Sequence, residues 1–319
     1  MTDLLQPMLG KNPDLVPISN SELQCFKSCK RKWWLAYYRG LRPKQSKAFG
    51  PLALGTRLHA ALEGYYADNL DLVQEYVRLL QIDRVKLTAT EQDTAKFDSE
   101  GELGRIMLEG YVNWLEETGA DSGLEIVGAE KKVSALLMND KVELRGKLDL
   151  RVKRRVDNVR LFLDHKSVAS FDSITRTAHM SEQGMMYQLL ETLTTEEGDE
   201  RCDGLIYNML RKVKRSANAR PPFYERLEVH WNRKTMQAFW SRLHGTISEM
   251  LRVREQLDKG ADHTYVAFPT PTQDCTWKCE FFAVCPMFDD GSAAEELIDV
   301  YYTQDDPYQR YENEEKVVA

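Results

Sequence analysis

Two neighbouring stretches, Val142-Glu-Leu-Arg-Gly-Lys-Leu-Asp149-Leu and Val159-Arg-Leu-Phe-Leu-Asp164-His165-Lys166, decide how this chain is read. Both alternate apolar and polar side chains over short β-favouring runs, which is the pattern of adjacent half-buried strands. The polar residues 151–158 between them form the connection expected of a hairpin. An aspartate closes or interrupts each run, and Lys166 follows Asp164 by two positions. Two carboxylates and an ammonium on adjacent strands are the minimum equipment for metal-assisted phosphodiester hydrolysis. Carboxylate oxygens hold a hard divalent cation. The cation activates a water and neutralises charge on the phosphate. A lysine orients or deprotonates that water and offsets charge in the transition state. An Asp-x-Lys triplet alone is common at solvated strand ends, so the weight falls on its order among three further features.

The first is Gly55-Thr-Arg-Leu-His59-Ala-Ala-Leu-Glu63, where Leu54, Leu58, Ala61, Leu62 and Tyr65 recur at helical spacing. A helix that carries His59 over the strand carboxylates adds a nitrogen ligand, which manganese accepts more readily than magnesium does. Otherwise His59 is an ordinary surface or core histidine. The second is the pair Gln183 and Tyr187, spaced to share one helix face. They are either a helix-surface pair or hydrogen-bonding groups for a phosphate beside the metal. The third is cysteine spacing. Six cysteines occur, and three of them form Cys275-Thr-Trp-Lys-Cys279-Glu-Phe-Phe-Ala-Val-Cys285. A tetrahedral metal or iron–sulfur site takes four thiolates, so a fourth must come from elsewhere: Cys29 first, then Cys25. The start, Met1-Thr-Asp-Leu-Leu-Gln-Pro, lacks the pattern of a secretory signal. A cytoplasmic setting is therefore expected, and disulfides are not.

The chain has 319 residues, 42% hydrophobic and 29% charged, which suits a soluble globular protein. No apolar run approaches the roughly 20 residues that span a bilayer, so no membrane partner is expected. The formal net charge of −7 is concentrated at one end: residues 289–319 hold ten acidic and two basic residues, leaving 1–288 close to neutral. The bases of 1–288 cluster at 27–47, 151–155 and 211–220. Such clusters either neutralise nucleic-acid phosphates or are solvated faces. Trp33, Trp34, Tyr37 and Tyr38 could stack bases, but at helical spacing they read as core. No phosphate-binding Gly-x-x-x-x-Gly-Lys-Ser/Thr loop is present, which excludes a nucleotide-hydrolysing motor of that type.

Along the chain, residues 1–17 read as an extended N-terminus, and a helix capped by Ser19 or Ser21 is expected to run to about Tyr38. A helical insertion follows at about 51–120. Strands are expected at 124–137, 141–153, 159–166, 203–210 and 224–231, and helices at about 173–194 and 233–258. The order predicts an α/β fold, a mixed central sheet flanked by helices, within one domain of 18–290 that ends on the cysteine segment 275–285. Residues 291–319 read as an acidic mobile tail.

Five stretches together resemble the RecB-like branch of the PD-(D/E)XK nucleases in its iron–sulfur form, found in AddB-type recombination nucleases, CRISPR-adaptation nucleases and phage exonucleases. They are Ser19-Asn-Ser21-Glu-Leu23-x-x-Phe26-x-x-Cys29-Lys-Arg-Lys-Trp-Trp34, Gly55-x-x-x-His59, Gly146-Lys-Leu-Asp149, Asp164-x-Lys166 with Gln183-x-x-x-Tyr187, and the terminal cysteine triplet. They span residues 19–285. The sequence departs from the family pattern in having Lys30 after Cys29 and three residues between Cys275 and Cys279. The resemblance implies a restriction-endonuclease-like core. In it, His59, Asp149, Asp164 and the backbone carbonyl of His165 bind Mg2+ or Mn2+, and Lys166 is the catalytic lysine. Gln183 and Tyr187 line the site, and Glu130, on the preceding strand-like run, has a supporting catalytic role. Cys29, Cys275, Cys279 and Cys285 hold a 4Fe–4S cluster, with Zn2+ as the alternative metal.

The expected activity is a metal-dependent DNA nuclease, more an exonuclease than an endonuclease, acting on single strands or free ends. A recombination or phage replication protein is a candidate partner. The competing class is a non-catalytic DNA-binding or assembly module that keeps the fold.

Overall fold

A computed structural model describes residues 15–44, 48–85, 91–194 and 202–309. They form two compact units, one drawn from Met1–Ser46, Ser134–Gly146 and Lys234–Ala319, the other from Lys47–Val133 and Lys147–Arg233. The strands β3 (Leu124–Leu137) and β4 (Val142–Arg154) pass from one unit into the other.

The second unit carries the sheet on which the two aspartates lie. The alternation legible in the sequence appears in β4, whose side chains are buried at every other position from Val142 to Val152. It pairs antiparallel with β5 (Arg160–Val168), from Leu150 opposite Leu163 to Lys153 opposite Arg160. On its other edge β5 pairs parallel with β6 (Cys202–Arg211), and β6 pairs antiparallel with β7 (Tyr224–His230). The sheet is therefore mixed. The parallel β5–β6 step needs a crossover, and the helices α6 (Asp172–Thr175) and α7 (Glu182–Thr194) lie within it. A single helix over 173–194 was expected. The chain instead breaks at Ser181, whose Oγ accepts the Gly184 N–H at 3.2 Å and so caps α7.

Helices α3 (Pro51–Asp68), α4 (Leu72–Val85) and α5 (Glu91–Thr118) fill the predicted helical region. α3 starts on a proline, whose missing N–H costs nothing there. It stops at Asn69 in the left-handed conformation. Leu54, Leu58, Ala61 and Leu62 of α3 are buried with Tyr76, Met107, Leu108 and Tyr111. A second cluster, Leu150, Val152, Leu161, Leu163 and Ile206, packs between the strands.

In the first unit, β1 (Val16–Ser19) runs parallel to the start of β4, so residues 16–17 of the expected loose N-terminus belong to a strand. Most of the rest, 1–14, lies outside the described residues. Ser19 caps α1 (Asn20–Ser28) through the Glu22 N–H at 3.3 Å. The single helix expected to Tyr38 is broken at Cys29, which is extended (φ −160°, ψ 111°). Its Sγ accepts the Lys32 N–H and starts α2 (Lys30–Trp33). Trp33 and Trp34 are buried. Helix α8 (Arg233–Asp258) buries Phe239, Leu243, Ile247, Met250 and Val253 at helical spacing.

The largest correction concerns the acidic segment from Gly291. Instead of a mobile tail, it forms α9 (Ala294–Tyr301) and β8 (Tyr302–Gln304), which pairs antiparallel with β2 (Leu41–Pro43). Ala294 and Ile298 are buried one turn apart, and Tyr302 stacks on Phe281 at 5.3 Å. These few apolar anchors outweigh the surrounding charge, which stays in solvent. Residues 310–319 lie outside the described part.

Candidate active site

The second unit brings seven of the singled-out residues to one place. Asp149 comes from β4, Asp164, His165 and Lys166 from β5, His59 from α3, and Gln183 and Tyr187 from α7. His59 Nδ1 lies 3.2 Å from Asp149 Oδ2, and the His165 backbone N–H donates to the same oxygen at 2.9 Å. Lys166 Nζ lies 2.7 Å from Asp164 Oδ2 and donates to Gln183 Oε1 at 3.0 Å. Gln183 Nε2 donates to the Tyr187 hydroxyl at 2.9 Å, completing a chain from strand to helix. Glu130 lies in β3, but its side chain is outside the described residues.

The electrostatics follow from burial and pairing. Burial tends to raise the Asp149 carboxyl, but His59, His165 and the backbone N–H override it and hold it well below the usual carboxylate range. Asp164 goes the other way. Its burial, with Asp149 adding to it, holds the carboxyl above the usual range despite Lys166 and His59. Burial would strip Lys166 of its proton, yet Asp164 and Asp149 keep the ammonium charged. His59 likewise gains proton affinity against its burial, from Asp149 and Asp164.

This donor set suits a hard divalent cation. The site holds two carboxylates and an imidazole, and Asp164 Oδ2 is buried with no hydrogen-bond donor aligned on it. A cation would lower the cost of ionising both carboxylates together. Among the described residues, no three His, Cys, Asp or Glu side chains already stand as a ready-made metal site. His59 turns onto Asp149 and Lys166 onto Asp164, so these groups hold one another where a cation would draw them apart.

The cysteines assemble in the first unit. Burial pushes the Cys285 thiol up to about 11, with Cys29 and Cys279 adding to the shift against Arg31. Burial also raises Cys279, with Cys275 and Cys29 contributing. These four thiols are therefore electrostatic neighbours. Backbone N–H groups already point at two of the sulfurs: Lys32 at 3.5 Å and Thr270 at 3.4 Å from Cys29, and Thr272 at 3.3 Å from Cys275. Such bonds stabilise thiolates and tune clusters. Fully buried Arg31 fastens the segment, donating to Ala267 O, Cys285 O and Asp289 at 3.1, 3.3 and 2.9 Å. Cys25 also neighbours Cys29, and its thiol is pushed by burial up to about 12. Cys202 is buried in β6, in the other unit.

Several bases of the clusters at 27–47 and 151–155 are engaged internally: Lys30 with Glu249, Arg31 with Asp289, Arg39 with Glu295, Arg151 with Glu191, and Arg154 with Asp157 and Glu228. Sequence reasoning missed Tyr66, Tyr111, Asn208 and Arg226, which surround His165. The one available signal was Asn208, a polar residue inside the apolar run 204–210.

The family described as the PD-(D/E)XK nuclease superfamily matches residues 17–286. A crystal structure from Eubacterium rectale, named as a candidate exonuclease, is 15% identical and covers 76% of this chain and 82% of that chain, with a TM-score of 0.46. The crystal structure of SSO0001 is 16% identical and covers 72% of this chain and 84% of that chain, with a TM-score of 0.32. No curated protein matches the sequence. Among the described residues, no helix is long and apolar enough to cross a membrane.

Proposed function

Because the chain belongs to the PD-(D/E)XK nuclease superfamily, we propose that it is a metal-dependent deoxyribonuclease, an exonuclease acting on single strands or DNA ends and braced by a 4Fe–4S cluster. The observation that carries this is the meeting of Asp149, Asp164 and Lys166, with Lys166 2.7 Å from Asp164 and 3.0 Å from Gln183. His59, Asp149, Asp164 and the His165 carbonyl would hold Mg2+ or Mn2+, which would supply an activated water and neutralise charge on the scissile phosphate. Lys166, kept as an ammonium by its carboxylate neighbours, offsets charge that develops on the phosphate and orients the attacking water. Gln183, tied to Tyr187, fixes the direction of the Lys166 side chain. Cys29, Cys275, Cys279 and Cys285 would hold the cluster and so tie the start of α2 to the 275–285 segment. Closing the loop from residue 29 to residue 275 is entropically costly, and metal–thiolate bonding would offset it.

The test is a digestion time course on end-labelled DNA, single- and double-stranded, linear and circular, with Mg2+ or Mn2+. Loss of linear single strands with circles left intact is the expected result. Cutting of circles would make the enzyme an endonuclease. No cleavage by folded, iron-loaded protein would leave a DNA-binding module in place of the enzyme.

A further inference from the structure

Three polar residues stand abreast across the sheet of the second unit. His165 on β5 is the register partner of Asn208 on β6, and Asn208 that of Arg226 on β7. All are part of a closed hydrogen-bond network, and His165 and Asn208 are 4% and 1% exposed. The Asn208 amide nitrogen meets His165 Nδ1 at 2.9 Å and the Tyr111 hydroxyl at 2.9 Å. Its oxygen accepts Arg226 Nε at 3.0 Å. The remaining Arg226 donors go to Ala120 O at 2.8 Å, Tyr111 at 3.2 Å and Asp121 at 2.6 Å. Tyr111 meets Tyr66 at 2.9 Å, and Tyr66 donates to Asp121 at 3.0 Å.

Counting donors and acceptors gives the network one direction. An amide nitrogen has two hydrogens, and here each has one acceptor. His165 Nδ1 is therefore an acceptor, and the ring proton sits on Nε2. The Tyr111 oxygen accepts from both Asn208 and Arg226, so its own proton goes to Tyr66, and the Tyr66 proton goes to Asp121. Arg226 polarises the Asn208 amide and strengthens its bond to the imidazole. The ring is pinned further by stacking on Tyr66 at 5.6 Å and an edge contact with His59 at 6.0 Å. A ring held on three sides leaves the backbone of residue 165 little freedom. That backbone strip lies between Asp164 and Lys166, and its N–H holds Asp149.

We infer that Asn208 is a positioning residue for the cleavage site. Held by Arg226, it sets the orientation of His165 and, through it, the β5 backbone on which the metal ligands and Lys166 are spaced. The inference rests on the nuclease reading for its consequence and on the hydrogen-bond ladder for its substance. Partners one step behind metal ligands typically change metal affinity or activity by about 10–100-fold when altered.

The test uses Asn208→Asp, which keeps the shape and the Arg226 contact but removes the donor to His165. Histidine-labelled protein is examined by nitrogen NMR, with Mn2+ titrated separately into protein without DNA. Wild type is expected to show Nδ1 unprotonated on His165, and Asn208→Asp to show it protonated. The Mn2+ concentrations for half-saturation and half-maximal cleavage should rise about tenfold, with the KM for DNA unchanged. Tyr111→Phe, which loosens the same network without touching the imidazole bond, should lower Tm and leave both metal midpoints in place. A protonated Nδ1 in wild type overturns the inference without recourse to any variant. So does an unchanged Mn2+ midpoint in Asn208→Asp, or an equal rise in Tyr111→Phe. Failure of wild type to cleave DNA would sink the nuclease reading alone, since the NMR and Mn2+ binding measurements still decide the ladder.

Discussion

Asp149 accepts the backbone N–H of His165 at 2.9 Å, so the carboxylate of one strand fastens the backbone between Asp164 and Lys166 on the next. The proposed metal ligand is thereby also a structural tie, and its replacement should separate two effects. Asp149→Asn keeps an oxygen for that N–H while losing the charge. Cleavage is expected to fall about 100-fold or more, with a Tm close to wild type. Folded Asp149→Asn with wild-type rates at saturating Mg2+ would show that the site has been misassigned.

Lys166→Ala should cut cleavage by a similar factor but also destabilise the protein, because it leaves Asp164 buried beside Asp149 with its nearest positive charge gone. Adding Asp164→Asn should restore part of the lost Tm without restoring activity. Denaturation of the single and double variants reads this directly. A double variant less stable than Lys166→Ala would mean that Asp164 contributes to folding by some route other than its charge.

The position of α7 depends on Gly184, the residue after Gln183. A methyl group built on Gly184 would run into the Trp231 ring and come within 3.0 Å of Leu205 Cδ2. Trp231 cannot swing away easily, because its Nε1 donates to His179 O at 2.8 Å. Gly184→Ala is therefore expected to cost about 1–3 kcal/mol and to weaken cleavage by shifting Gln183 from Lys166. Urea denaturation and rates at saturating metal check both halves. Unchanged stability would show that the contact between helix and Trp231 is soft.

The strand pair that carries Asp149 and Asp164 was legible in the sequence because alternation is a property of consecutive residues, and β4 follows it from Val142 to Val152. The helix break at Cys29 was not, since Phe26 and Trp33 continue an apolar helical pattern across it. What breaks the helix is a thiol accepting the Lys32 N–H, which no periodicity reports. The acidic end was misread for a related reason: Ala294, Ile298 and Tyr302 are too sparse among carboxylates to register until β2 gives β8 an edge to pair with. Asn208 and Arg226 lie on different strands and become neighbours of His165 only through sheet register.

Cys275→Ala, Cys279→Ala, Cys285→Ala and Cys29→Ala are each expected to lose iron and lower Tm, since their thiols are electrostatic neighbours. Cys202→Ala should keep its iron, being in the other unit. Cys25→Ala should be mild. Iron, sulfide and zinc analysis of anaerobically purified protein checks the set. Zinc in place of iron would replace the cluster with a structural zinc site. Full iron in Cys29→Ala would pass the fourth ligand to Cys25.

Glu22 gives the first unit a pH dependence of definite sign. Its carboxyl is fully buried, accepts the Trp33 indole N–H at 2.8 Å and the Tyr308 hydroxyl, and lies 3.7 Å from Arg254. Burial raises its pKa from 4.5 to about 7, although Arg254 and Trp33 oppose the rise. The folded protein thus keeps a proton that the unfolded chain releases in this window. Below the unfolded pKa both states are protonated and the group has no effect. As pH rises from about 4.5 to about 7, the unfolded state gains the advantage and stability falls. The shift corresponds to a cost of the order of 3 kcal/mol above the folded pKa. Glu22→Gln keeps an oxygen for Trp33 and cannot ionise, so it should escape this loss. The stability difference between Glu22→Gln and wild type should move in the variant's favour between pH 4.5 and pH 8. Taking the difference removes other titrating groups common to both proteins. Chemical denaturation of the two proteins across that range measures it. A difference that stays constant with pH would mean that Glu22 is already ionised in the folded state at low pH, with Arg254 and the two donors outweighing its burial.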